Sequence, residues 1–203
     1  MGRPLKEDDS FVMQTLTSIQ AGDSKVVTDG KFEHQCTDVD ENGIQHIQAT
    51  CIEGTVRRGS DDPESMKGEY YNYYLNTHGV RFDYEDIRPS WKENPIAVIE
   101  SELHWTLKVH TVVAEETWTD KSAYTQYKIT VGKPKQFMKC ECIEVVRKGD
   151  FTNGITGTFK EDSWYRTSDG QLMYRETTAD DVSSADIGTI QHLERTEFVS
   201  SKY

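Results

Sequence analysis

The chain has 203 residues, with 35 acidic against 23 basic side chains and a formal charge of −12. That balance argues against phosphate-backbone binding, and no run approaches the roughly 18 apolar residues that a membrane span requires. Four cysteines are too few for a disulfide scaffold at this length, and the length is enough for one domain, 1–203, to bury its core without staples.

Residues 1–9 are charged and lack the apolar centre of a secretory signal, which predicts a flexible N-terminal segment. Ser10 or Asp9 then caps a predicted short helix with Val12, Leu16 and Ile19 on one stripe and Gly22 as its stop. Beyond it the chain reads as extended pieces. Lys31 to Thr37 and Ile44 to Arg57 flank a hairpin turn that ends in Asn42-Gly43. Glu69 to Leu75 and Val80 to Tyr84 form aromatic strands, and Ile87 to Pro95, with two prolines, is a connecting loop.

From Ala97 to Val113 every second residue faces one way and is mostly apolar, including Ile99, Leu103, Trp105, Leu107 and Val109. Side chains alternate across a strand, so this is one strand with a dry and a wet face. At about 3.3 Å per residue it extends roughly 55 Å, and strands of that length normally wrap around a barrel. Further strands follow at Ala123 to Val131, Gln136 to Arg147, Ile155 to Arg166, Gln171 to Thr177 and Gly188 to Val199. Their breaks fall at Gly132-Lys133-Pro134, Lys148-Gly149-Asp150, Ser168-Asp169-Gly170 and the acidic stretch Ala179 to Asp186. The expected fold is all-β: an antiparallel up-and-down barrel of about 8–10 strands with a short N-terminal helix.

Familiar catalytic signatures are missing: no Gly-x-Ser-x-Gly elbow, His-Glu-x-x-His, phosphate loop or dinucleotide fingerprint. Asp61-Asp62-Pro63-Glu64 and Asp180-Asp181 lack the alternating oxygens of a calcium loop and read as solvated loops. His104 and His110 share a face but stand about 20 Å apart along a straight strand, too far for one metal. Cys36 and Cys51 fall on neighbouring strands of one hairpin, where spacing alone does not establish a bridge. Cys140 and Cys142 face one side of a strand, but a single Cys-x-Cys without a matching Cys or His set is weak metal evidence. All four read as reduced thiols of a cytosol-like compartment.

The last third carries the best candidate site. Lys160 to Tyr165 runs into the Ser168-Asp169-Gly170 turn, and Gln171 to Thr177 returns from it. Glu161 and Arg175 thus fall at nearly opposite positions, with Glu161 sharing a face with Phe159, Ser163 and Tyr165. An Arg–carboxylate pair inside a barrel is either a structural bridge or an anchor for an acidic or nitrogenous ligand. Aromatic residues such as Tyr71, Tyr73, Trp105, Trp164 and Tyr165 suit core filling, and equally a closed small-molecule pocket.

Glu161-Asp-Ser-Trp164-Tyr165, followed after a turn by Leu172-Met-Tyr-Arg175-Glu-Thr177, resembles the late hairpin of the S-type phycobiliprotein lyases. There a Glu stands three residues before a Trp-Phe pair, and an Arg follows after a turn. Ile99-Glu-Ser-Glu-Leu103-His-Trp105 is similar to an earlier Trp-Glu-Gly-Thr-Met-Glu-Trp strand of that family, with Ile99 in place of its first Trp. The family's Arg-Thr-Ser-His-His motif is missing. The resemblance implies a lipocalin-like (calycin) barrel that binds an open-chain tetrapyrrole, a bilin, and assists its attachment to a cysteine of an acceptor phycobiliprotein subunit. Glu161 and Arg175 would then be catalytic, the Glu polarising the pyrroles and the Arg pairing with a propionate. Trp105, Leu103, Trp164, Tyr165 and Met173 would line the pocket. No cofactor beyond the bilin, no metal, no nucleic acid and no membrane span are expected of a soluble protein of the cytoplasm, or of a plastid after removal of a targeting segment. The residues alone leave open a carrier or isomerase-type barrel for another apolar molecule, and a non-catalytic interaction module.

Overall fold

The computed structural model describes residues 5–76, 79–81, 114–121, 124–184 and 188–202. In chain order the strands are β1 (Ser10–Ala21), β2 (Ser24–Val39), β3 (Gln45–Arg58), β4 (Glu64–Ser65), β5 (Tyr70–Asn76), β6 (Gly79–Arg81) and β7 (Thr117–Lys121). They continue with β8 (Thr125–Val131), β9 (Lys135–Phe137), β10 (Cys140–Phe151), β11 (Ile155–Arg166), β12 (Leu172–Ser184) and β13 (Gly188–Lys202). All the described strands join one antiparallel sheet in the order β6-β5-β3-β2-β1-β13-β12-β11-β10-β8-β7, with β4 added to β3 and β9 to β10. Most neighbours in space are neighbours in sequence, as in the expected meander, and β13 returns to lie beside β1. The expected barrel closure is corrected: among the described residues the sheet is an open path, ending in the three-residue β6 and the five-residue β7. The predicted long strand, with Leu103 and Trp105, lies outside the described residues.

The predicted N-terminal helix is also corrected. The same residues form β1, paired along both sides with β2 and β13. Phe11 and Met13 are buried on one side, and β-branched Val12, Thr15, Thr17 and Ile19 favour an extended backbone. The helical stripe of Val12, Leu16 and Ile19 therefore competes with an alternation that gains two ladders of hydrogen bonds. Gly22, read as a helix stop, has φ +57° and turns the β1–β2 hairpin instead.

The strands are longer than the sequence breaks suggest. β10 runs straight through Lys148-Gly149-Asp150, and β12 continues to Ser184 with a register shift between Ala179 and Val182. That shift is a bulge, with Asp181 at φ +53°, so the acidic stretch bends the strand without ending it. Alternation buries one face: Phe32, His34 and Cys36 on β2; Ile47, Ala49 and Cys51 on β3; Tyr127, Ile129 and Val131 on β8; Phe159, Glu161 and Ser163 on β11.

This face is concave. Five inter-strand steps separate β12 from β5, about 24 Å in a flat sheet. Yet the charge of Arg175 on β12 acts on the Tyr73 phenol of β5 and on His34 of β2. Only a strongly curled sheet brings those side chains within reach.

Candidate functional site: a buried charge belt on the concave face

Across the sheet, register aligns Arg147 with Glu161, Glu161 with Thr177, and Thr177 with Glu194. The adjacent row on the same face aligns Val145, Ser163, Arg175 and Thr196. Arg147, Glu161, Ser163, Arg175, Thr177, Glu194 and Thr196 are all buried. Burying charges costs several kcal/mol each unless they are paired and hydrogen-bonded. Here they are paired. Arg147 Nη2 donates to Glu161 Oε2 at 3.0 Å, Ser163 Oγ donates to Glu161 Oε1 at 2.9 Å, and Arg175 Nη2 donates to Glu194 Oε1 at 2.5 Å. Two cations and two anions thus alternate along the belt with no net charge.

Burial opposes the charge on Arg175, but Glu194 first and Glu161 second outweigh it and hold the guanidinium protonated more firmly than usual. The guanidinium is not saturated. Its Nε and the Thr177 hydroxyl are buried and have no hydrogen-bond partner among the described residues. Next to the belt, burial and then the charge of Glu161 push the Tyr165 phenol up to about 12, so it is a neutral hydroxyl at ordinary pH. The guanidinium Nε–H and the Thr177 hydroxyl on one buried face are donors of the kind that a carboxylate needs.

Aromatic residues of β2 and β5 face this belt. His34 stacks on Phe11 with ring centroids 4.8 Å apart, and its Nδ1 lies 2.9 Å from the Tyr73 hydroxyl. Burial, followed by the charge of Arg175, lowers the His34 pKa to about 3, which keeps the imidazole neutral. Tyr71 packs against His34, Tyr73 and Phe32. On the other side, Arg147 lies 4.9 Å from the centroid of Phe159 and 5.3 Å from that of Tyr127. The belt is a polar strip between aromatic walls.

The predicted residues separate into three groups. Glu161, Arg175 and Tyr165 share the concave face, as their spacing requires. Glu161 and Arg175 are not directly opposite: Thr177 stands across from Glu161 and Ser163 across from Arg175, so the pair sits on a diagonal. Each takes its ion pair elsewhere, Glu161 with Arg147 and Arg175 with Glu194. Trp164 is on the convex face, where it stacks on Phe137 at 4.3 Å with the Lys135 ammonium 4.4 Å from its ring. Met173 stands at the register shift of the hairpin and packs with Trp164 and Cys142, away from Glu161. Leu103 and Trp105 lie outside the described residues. The bridge left open between Cys36 and Cys51 is not formed: Cys36 is opposite Ile47 and Cys51 opposite Phe32, and both thiols are free.

Arg147 and Glu194 were not singled out by sequence reasoning. The signal for Glu194 was the alternation Ile190, His192, Glu194, Thr196, which carries it inward with its neighbours. For Arg147 it was position two after Val145 in an uninterrupted strand, hidden by the expected break at Gly149. A depression of about 410 Å³ among the described residues is elsewhere and open. It is lined by Lys148, Asp150, Lys160, Thr178 and Asp180, mostly outward-pointing side chains.

The sequence matches no protein-family model and no curated protein. The fold is similar to a solved structure concerned with lipid–protein interactions in lipovitellin, at 9% identity and a TM-score of 0.49. That similarity takes in 96% of this chain and 25% of the other, so the chain spans about a quarter of its structural neighbour.

Proposed function

We propose that the chain binds a small, largely apolar molecule bearing a carboxylate on its concave face, with Arg175 as the anchor of that carboxylate. An open-chain tetrapyrrole, with its conjugated rings and propionates, is a ligand of this chemistry, and delivery to an acceptor cysteine is the use that the lyase resemblance implies. The observation that carries the reading is Arg175 itself: a guanidinium buried beside aromatic walls, with Nε unused next to the unused hydroxyl of Thr177. Glu161 fits a supporting role better than the catalytic one, because its two oxygens already accept from Ser163 and Arg147. Tyr165 and Tyr73 supply wall surface in this reading.

The test separates binding from folding. Arg175→Met paired with Glu194→Gln removes both charges together, so that no buried ion is left alone. Titrated with a free bilin and followed by absorption, the native chain is expected to shift the pigment spectrum at one molecule per chain. The double variant should keep its urea midpoint but bind at least about tenfold more weakly, the value of one charge-assisted hydrogen bond of about 1.5–3 kcal/mol. Glu194→Gln alone frees Arg175 and should strengthen binding. Undiminished affinity in the double variant, or an unchanged spectrum with the native chain, overturns the reading.

A further inference from the structure

At the tip of the β9–β10 hairpin the sequence is Phe137-Met138-Lys139-Cys140-Glu141-Cys142, and none of the concave-face chemistry uses it. Cys140 Sγ and Cys142 Sγ lie 3.4 Å apart, and both thiols converge on the carbonyl of Phe137, at 3.3 and 3.8 Å. Cys142 is fully buried against Trp164, whereas Cys140 is partly exposed. Two thiolates at about 2.3 Å from one three-coordinate, trigonal ion stand roughly 4.0 Å apart, so the observed separation needs about half an ångström of adjustment. A direct disulfide is less well placed, because residues two apart on a strand have Cα atoms about 6.6 Å apart, at the long end of the bridged range.

The turn adds a second observation. Met138 and Lys139 both have left-handed backbones, φ +48° and +67°, in the two-residue loop that closes Phe137 against Cys140. Asn-Gly is the ordinary occupant of such a turn, and non-glycine residues there cost free energy. What Met and Lys bring that Asn-Gly does not is a thioether and a cation. Met138 is 44% exposed, so its flexible side chain is not committed to the core.

The geometry points to a site for a soft, thiophilic monovalent cation such as cuprous copper, held by Cys140 and Cys142 with Met138 as a third sulfur ligand. Among the described residues no group of three His, Cys, Asp or Glu side chains is available to a harder, four-coordinate ion, whereas thiolate and thioether donors select Cu(I). Two Cu–thiolate bonds form as two thiol protons leave, the neutral Met138 thioether adds a third Cu–S bond, and no electrons move. The product carries one negative charge, and Arg166, opposite Cys142 in register and itself paired with Asp169, is the cation that faces it. Thiols bind such an ion as thiolates, so each bond displaces a proton and affinity should rise with pH.

The experiment is an anaerobic titration of the reduced, full chain with Cu(I) against a colorimetric Cu(I) chelator. One ion per chain is expected, with a sulfur-to-copper charge-transfer band. Cys140→Ser, at the partly exposed position, should weaken binding by more than the about 10–100-fold that loss of an outer-shell partner costs. Replacing Met138-Lys139 by Asn-Gly should raise the melting temperature and still weaken binding, an outcome that a purely structural turn does not give. Retention of full Cu(I) affinity in Cys140→Ser, or in the Asn-Gly chain, overturns the site, as does a native chain that takes up no Cu(I).

Discussion

Glu161 accepts on both of its oxygens while Arg175 keeps Nε in reserve, and this difference assigns them different work. The motif that draws attention to both residues from sequence does not distinguish them, because the partners come from strands that the motif does not include. Arg147 is on β10 and Glu194 on β13. His34 offers a test at this scale. Its folded imidazole stays neutral down to about pH 3, while an unfolded histidine takes up a proton below about pH 6.5. The unfolded chain therefore binds the extra proton in that window, and stability falls as pH drops from 6.5 towards 3. The slope contributed by this one group is up to about 1.4 kcal/mol per pH unit. Urea unfolding across the window should show His34→Gln with a shallower acid slope than the native chain; equal slopes would place the imidazole in water.

At the scale of elements, alternation was the legible signal and punctuation the misleading one. The faces of β8, of Phe159 to Ser163 on β11 and of Ile190 to Thr196 on β13 follow their sequences, and β11 begins and ends where the sequence predicts. Gly149 reads as a break and proves to be a packing device. It is opposite Tyr127 on β8 and Phe159 on β11, whose rings meet edge to face at 6.3 Å over the missing side chain. A Cβ there would lie 2.2 Å from the Gln126 carbonyl oxygen and 2.6 Å from Tyr127 Cβ. Gly149→Ala should therefore destabilise the chain by about 1–3 kcal/mol, the usual cost of overpacking, read as a lower urea midpoint. A neutral result would mean that β8 and β10 are loosely paired here. Trp164 shows the other limit of the sequence. Its parity puts it opposite to Glu161, and grouping the two by motif overrode that parity. The N-terminal segment was misread for a related reason: a three-residue apolar stripe fits a helix or a strand equally, and only pairing with β2 and β13 decides between them.

Over the whole molecule, one continuous sheet brings β1 and β13 together at its centre and curls so that β2 and β5 look across at β12. That curl makes a site from residues more than a hundred positions apart, His34 and Tyr73 with Arg175, which no local pattern announces. The charge belt is neutral as a unit, and its unused donors lie on the face that the curl shelters. The carboxylate anchor is the central claim, and a comparison of a free bilin with its dimethyl ester by absorption titration tests it most directly. The two share the same apolar body, and only the acid offers Arg175 a charged acceptor. The account predicts that the acid binds at least about tenfold more tightly than the ester, the equivalent of about 1.4 kcal/mol. Equal affinities would contradict it and return Arg175 to a purely structural role.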